Sequence, residues 1–356
     1  MYAEAARTFQ QLGCELSAVN TARDMGEYAS NLEEAGYTVF HKPYPSLKNP
    51  VKRLNYCLNF IRFLKRENYD VVHTHAQRMM WTMALCARLA GIRSVYTVHS
   101  VFMPKHFTYL YRYFSRWSAK KFFRCTIHTI SDSVYNNEKR RFHNETVKIN
   151  NWYANSRFYP AGKDKKREVR KSLGIADNAL VLISVGGCSP VKRHTDIIKA
   201  LPVITKKYPN TVYLHLGKGI ALSEEQALTE ELNMSNHILF CGNQSDVRKY
   251  LIASDIYVMT SMYEGISLTT IEAMACKIPA ILYHVSGLKD FNKEKECALL
   301  IPEDTAILAE SVISLFEDRE RQQTLVATAF NFVASQFDMK RNATKIFELW
   351  TCNKIS

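Results

Sequence analysis

The sequence predicts an α/β fold of two parallel-sheet domains, and three observations carry the prediction. Short β-branched runs alternate with amphipathic helical stretches along the whole chain, the pattern of parallel α/β units rather than of hairpins. The chain has 356 residues, a length that suits two domains. Between them lies Asn151-Trp-Tyr-Ala-Asn-Ser-Arg-Phe-Tyr-Pro-Ala-Gly-Lys-Asp-Lys-Lys-Arg167, polar, charged and interrupted by Pro160 and Gly162. That segment reads as an interdomain hinge.

Taken in order, strands are expected at 14–20, 37–41, 70–75, 94–99, 125–131 and 147–150 in the first half. In the second half they are expected at 180–186, 211–217, 237–241, 256–260, 279–283 and 299–301. Helices fill the gaps, with 195–207 and 246–253 the clearest. Tyr2, Ala6, Phe9 and Leu12 recur at helical spacing with Gly13 as C-cap, so the chain opens on a helix. A last helix is expected from Asp338 to Trp350.

Composition narrows the function classes. No apolar run reaches the ~18 residues of a membrane span. The start, Met1-Tyr-Ala-Glu-Ala-Ala-Arg, lacks the basic-then-apolar profile of a secretory signal. Nine cysteines, odd in number and without a Cys-x-x-Cys pair, fit a reducing cytoplasm and argue against a disulfide framework or a zinc site. Residues 1–150 carry a net charge of +11, whereas 171–356 carry −2, so the first half is expected to meet something anionic. The basic half holds no recognisable nucleic-acid module, which leaves an anionic membrane surface as the expected partner and no nucleic acid.

The most informative stretch is Ser261-Met-Tyr-Glu-Gly-Ile-Ser-Leu-Thr-Thr-Ile-Glu-Ala-Met-Ala-Cys-Lys-Ile-Pro279. It follows an apolar strand and opens a helix that runs to about Cys276. Gly265 permits a tight turn, Ser267 can cap the helix, and the amides of Gly265, Ile266, Ser267 and Leu268 lie where a helix N-terminus offers an anion site. Glu264 precedes the helix and Glu272 lies about one turn inside it. Two carboxylates with helix amides between them match a nucleotide-sugar, whose hydroxyls flank a pyrophosphate.

This segment resembles the Glu-x7-Glu signature of the retaining glycosyltransferases of family 4. The resemblance implies the GT-B fold, two Rossmann-like domains facing a cleft, with 1–160 on the acceptor side, 161–336 binding the nucleotide-sugar and 337–356 returning to the first domain. It implies Glu264 near the transferred sugar and Glu272 on the ribose. The family has a strand and a glycine-rich loop ahead of its first helix. The N-terminal sheet is therefore expected to lack its first strand, through a misassigned start or a truncated protein.

A second cluster is Ser184-Val-Gly-Gly-Cys-Ser-Pro-Val-Lys-Arg-His-Thr195, a strand end, a glycine pair and a helix start. It resembles the family's Val-Gly-Arg-x-x-x-x-Lys-Gly, in which Arg and Lys hold the diphosphate. Lys192 matches the Lys, a compact charge suited to a pyrophosphate leaving group. The Arg position falls on Gly187, and Arg193 is the residue that could compensate. His99, ending its strand, matches a family histidine that contacts the sugar. His73 and His75 share one face of their strand without a third metal ligand, and read as structural. Gly217-Lys-Gly219 resembles the family's Gly-x-Gly-Pro turn, and Asn243 and Gln244 fall in the loop that faces the nucleobase. Ser286-Gly287 resembles the family's Gly-Gly pair. No Asp-x-Asp is present, so no metal or other cofactor is expected on the diphosphate.

The third feature is the acid-free segment 101–124, with Lys105, Arg112, Arg116, Lys120 and Lys121. Arg112, Arg116 and Lys120 fall at i, i+4 and i+8, a basic stripe, and Phe107, Leu110, Phe114, Trp117 and Phe122 supply aromatic and apolar mass. A basic aromatic helix of this kind reads as a membrane-surface element.

The function expected from these residues is a hexosyltransferase that moves a sugar, with retention, from a UDP-sugar to a lipid-linked or polysaccharide acceptor. Lipopolysaccharide or capsule assembly at the cytoplasmic face of the membrane is the setting. A nucleotide-sugar-binding protein without turnover and a sugar-nucleotide epimerase of the same fold are the alternatives.

Overall fold

The computed structural model describes residues 1–26, 28–46, 49–104 and 106–351. The chain divides into two compact units, Met1–Trp152 with the segment from Met339 onward, and Tyr153–Asp338.

In the first unit the strands are β1 (Ser17–Asn20), β2 (Thr38–His41), β3 (Val71–Thr74), β4 (Arg93–Val98), β5 (Thr126–Thr129) and β6 (Val147–Lys148). They do not form one sheet. β1 and β2 pair in parallel, and β3-β4-β5-β6 form a separate four-stranded parallel sheet. The two sheets share one core, in which Val19 of β1, Phe40 of β2 and Val72 of β3 pack with Phe60, Phe63 and Leu64. The latter three belong to the helix Pro50–Arg66, whose start is set by Pro50 and by Asn49, which accepts from the Lys52 amide at 2.9 Å.

The helix Tyr2–Gln11 ends near Gly13, which takes φ +85°. Its Ala5 and Phe9 pack on Ala343 and Ile346 of the last helix, Met339–Thr351. The first and last helices therefore share a small core with Ile149 and Trp152.

The second unit holds β7 (Val181–Val185), β8 (Val212–Leu216), β9 (Ile238–Gly242), β10 (Ile256–Met259), β11 (Ala280–Tyr283) and β12 (Leu299–Ile301) in one parallel sheet of order β12-β11-β10-β7-β8-β9. All residues of β7, β10 and β11 are buried. Helices cover both faces of such a sheet, which is why these runs read as continuously apolar. Strand order reverses between β7 and β10, where the loops after two neighbouring strands part company and leave a crevice at their C-terminal ends.

The boundary between the two units falls between Trp152 and Tyr153, within the segment read as a hinge. Asn151, Trp152, Tyr153, Ala154 and Phe158 are buried, and residues 163–167 open the helix Lys163–Ser172. That helix is docked by Asp255, which receives Lys166 Nζ and Arg170 Nη2 at 2.7 Å each.

Candidate active site

Two loops meet at the β7/β10 crossover. One runs from Gly186 to Arg193 and enters the helix His194–Lys207. The other runs from Thr260 to Ser267 and enters the helix Leu268–Ala275. Backbone bonds join them, with the Met262 amide donating to Val191 O at 2.8 Å and Thr260 Oγ1 donating to Lys192 O and Arg193 O. Within this frame Lys192 Nζ donates to Glu264 Oε1 at 2.6 Å, and Ser261 Oγ donates to the same oxygen at 2.7 Å. Residues 72 positions apart are thus brought into direct contact.

The helix start beside them is built as its sequence suggests. Ser267 Oγ accepts from the Thr270 amide at 3.2 Å, so the hydroxyl caps the helix. Tyr257 of β10 and Val185 O of β7 both bond Thr269 Oγ1, which ties the first turn to two strand ends. Gly265, Ile266 and Ser267 are buried, Leu268 is half-buried, and Glu272 is half-buried in the helix. The amides of such a turn carry the positive end of the helix.

Two glycines with positive φ set the backbones of these loops. Gly217, at φ +145°, lies against β7 so closely that a Cβ would stand 1.9 Å from Gly186 O. Gly287, at φ +84°, would place a Cβ 2.3 Å from Glu264 O, while the Glu264 amide donates to Ser286 O at 2.8 Å. Both hold the backbones under the Lys192 and Glu264 loops.

Gly187 presents no side chain in the same loop. Arg193 is held by acids of its own unit. It takes φ +50°, pairs with Asp196 at 2.6 Å and with Glu303, and lies over the Tyr283 ring. Its charge is committed to those acids because a residue adjacent to Lys192 at a helix start points another way. Asn243 is exposed after β9, and Gln244 folds back to donate to Cys241 O.

His99 belongs to the first unit, directly after β4, and sequence reasoning missed most of its setting. His99 Nε2 lies 3.0 Å from His75 Nδ1. Beside this pair runs a chain whose proton positions follow from chemistry. Trp350 Nε1, a donor only, donates to His73 Nδ1 at 3.1 Å. His73 therefore carries its proton on Nε2, which donates to Thr97 Oγ1 at 2.7 Å, and Thr97 in turn donates to His128 Nε2. Burial lowers the pKa of His99 to about 4 and of His75 and His128 to about 3, and holds His73 well below the ordinary value. All four rings are neutral at pH 7. The legible signal was His73 in β3 and His75 just after it; His128 lies two strands away in β5.

The helix His106–Lys121 reverses the expected polarity. Arg116 is 1% exposed and donates twice to the equally buried Glu138, through Nε to Oε2 at 2.7 Å and through Nη2 to Oε1 at 2.9 Å. Arg112 lies half-buried over Phe102, and Lys120 Nζ donates to Glu145 O. The stripe turns inward at Arg116, because Glu138 supplies a buried counter-charge and Ser115, Ser118 and Ala119 leave room beside it, while Lys120 stays exposed. The outer face is apolar, with Phe107, Leu110, Tyr111, Phe114, Trp117 and Phe122 all exposed. Lys121 is exposed beside them, and Lys105 lies outside the described residues. Among the described residues no helix is long and apolar enough to cross a membrane.

Fold and site together are those of a two-unit α/β protein with a lysine–glutamate pair beside a capped helix N-terminus. The model for "Glycosyl transferases group 1" matches residues 165–332, and that for "Glycosyltransferase Family 4" matches residues 2–151. The chain belongs to the family 4 type of glycosyltransferases with the GT-B fold, enzymes of the hexosyltransferase class. It is 25% identical over 317 residues to the Escherichia coli UDP-Gal:alpha-D-GlcNAc-diphosphoundecaprenol alpha-1,3-galactosyltransferase, covering 84% of this chain and 80% of that protein. It is 27% identical over 263 residues to the putative glycosyltransferase EpsD of Bacillus subtilis, covering 71% and 68%. In fold it is similar to Anabaena Alr3699/HepE in complex with UDP and glucose, with TM-score 0.83 at 19% identity over 98% of this chain and 95% of that one.

Proposed function

We propose that this glycosyltransferase takes its sugar from a UDP-sugar and passes it, with retention, to a lipid-linked or polysaccharide acceptor in cell-surface glycan assembly. The Lys192–Glu264 contact beside a capped helix N-terminus carries the reading. On donor binding, Lys192 and the amides from Gly265 to Leu268 face the diphosphate, Glu264 orients the sugar and Glu272 holds the ribose. Gly187, Gly217, Asn243 and Gln244 complete the donor side through backbone and polar contacts. His99 contacts the sugar, its neutral ring offering hydrogen bonds rather than charge.

Chemically, the bond from the anomeric carbon to the diphosphate oxygen breaks, and the acceptor hydroxyl oxygen bonds to that carbon on the same face. The hydroxyl proton passes to the departing diphosphate. Preorganised positive charge stabilises the leaving group, and no protein nucleophile or metal is needed. The reading is supported by the UDP-sugar and diphospholipid in the name of the Escherichia coli relative and by the UDP bound to Anabaena Alr3699/HepE.

Calorimetric titration with UDP- and GDP-sugars tests the donor assignment. Glu272→Ala is expected to raise the donor Kd about 10- to 100-fold, the loss of a charge-assisted hydrogen bond worth ~1.5–3 kcal/mol. An unchanged Kd removes Glu272 from the site. UDP release that requires added acceptor excludes an epimerase.

The same proposal places the enzyme at the inner face of the cytoplasmic membrane, through the aromatic face rather than the basic stripe. Exposed Phe107, Leu110, Tyr111, Phe114 and Trp117 form a contiguous helical stripe, and apolar stripes of this kind seat at the headgroup boundary. In sedimentation with phosphatidylglycerol-containing vesicles, Phe114→Ser with Trp117→Ser is expected to weaken binding at least ~10-fold. Equal binding by the double variant would return the helix to an ordinary surface element.

A further inference from the structure

We infer that the second unit contains a buried divalent transition-metal site, best matched to Zn²⁺, formed by Cys188, His194, His215 and Glu225. The four donors lie within 4.8 Å of one another and all four residues are buried. His194 Nδ1 and His215 Nε2 are 2.8 Å apart. His194 Nδ1 is 3.6 Å from Glu225 Oε1, and His215 Nε2 is 3.0 Å from Glu225 Oε2. Tetrahedral zinc with bonds of ~2.0–2.3 Å spaces its ligand atoms about 3.3–3.8 Å apart, so the closest pair needs to open by about half an ångström and the widest to close by at most about one.

The chemistry of the cluster asks for a cation. Glu225 is 1% exposed, and its Oε2 lies 3.0 Å from His215 Nε2 without an aligned hydrogen bond. Two ring nitrogens facing each other at 2.8 Å can share only one proton. A buried carboxylate is costly without compensating charge, whereas one thiolate and one carboxylate together neutralise a divalent ion. Two imidazoles, a thiolate and a carboxylate form a borderline-soft set that suits zinc, and four protein ligands make a closed, structural centre. On binding, the Cys188 thiol gives its proton to solvent as the metal–sulfur bond forms.

Placement gives the site its role. Cys188 and His194 bracket the loop that carries Lys192, His215 lies in β8, and Glu225 lies in the helix Leu222–Glu231. A metal here pins both ends of the loop to the strand and helix beneath it. The spacing Cys-x5-His-x20-His-x9-Glu gives no sign of this in the sequence, because the ligands come from four separate elements.

The test uses the full chain and the metal alone, so its outcome is independent of the transferase assignment. After dialysis against limiting Zn²⁺ and gel filtration, elemental analysis is expected to find about one zinc per chain. Co²⁺ in its place is expected to show the visible bands of tetrahedral coordination and a thiolate-to-cobalt charge-transfer band. Cys188→Ser is expected to abolish that band, and Cys241→Ser, at a half-buried cysteine elsewhere, to leave it intact. No retained zinc and no cobalt bands in the wild-type protein would overturn the inference, as would a thiolate band that survives Cys188→Ser. If Cys188→Ser does not fold, His215→Gln with the wild-type spectrum decides, since loss of one imidazole must shift the tetrahedral bands.

Discussion

Lys192→Ala is expected to lower kcat about 10²–10³-fold while shifting the thermal transition little. The two effects separate because they draw on different states. In the resting protein Lys192 and Glu264 are partly exposed, at 24% and 15% of side-chain area, and an ion pair with that much solvent contributes only ~0–1 kcal/mol to stability. In the transition state the proposed leaving diphosphate gains charge against a preorganised ammonium, and removal of one such group costs about 2.7–4 kcal/mol. Glu264→Gln is expected to reduce kcat as well, since it replaces the charged acceptor of both Lys192 and Ser261 by a neutral amide. The two losses should combine to less than their sum, because the residues act as one unit. Steady-state UDP release with saturating donor and acceptor reads both, and a Lys192→Ala enzyme with kcat unchanged from wild type would remove Lys192 from the chemistry.

Arg116→Ala is expected to destabilise the first unit by about 3–5 kcal/mol, a large fraction of the stability of a domain. The substitution strands Glu138, which is fully buried and otherwise held by Asn144 Nδ2 at 2.7 Å. It also removes a guanidinium lying 4.1 Å from the centre of the Phe142 ring. Replacing both partners, Arg116→Met with Glu138→Leu, should recover most of the loss, because a well-packed apolar pair has no charge to desolvate. Urea denaturation followed by fluorescence measures the difference. A membrane-facing arginine would behave oppositely, with little change in stability and weaker vesicle binding, so Arg116→Ala also checks which face of the helix is buried.

Much of the fold was legible in the residues. The strands of the second unit were readable because β7, β10 and β11 are buried on both faces and therefore appear as uninterrupted apolar runs. The Ser267 cap was readable for a local reason, since the hydroxyl acts on an amide three residues away. The Lys192 and Glu264 loops could be named from their motifs, yet their contact could not, because it depends on β7 and β10 being neighbours although β8 and β9 separate them in the chain.

Where reasoning along the chain failed, a distant partner was responsible. The stripe Arg112, Arg116, Lys120 is a sound helical pattern, but periodicity does not say which face turns inward, and Glu138 supplied the answer 22 residues away. Arg193 likewise meets Glu303, 110 residues away, a contact no local pattern announces. The separation of β1–β2 from β3–β6 likewise depends on pairing that no local pattern encodes.

The amino-acid sequence by itself determined which segments are strands and helices, where helices begin, and that loops carry Lys192 and Glu264 while Glu272 lies in a helix, since propensity, capping and burial pattern act within a few residues. Only the tertiary structure decided which charges neutralise one another, which face of the helix His106–Lys121 meets solvent, and that four scattered ligands converge beneath the Lys192 loop. Those outcomes depend on free energies of desolvation and pairing, which exist only once remote parts of the chain have been brought within a few ångströms of each other.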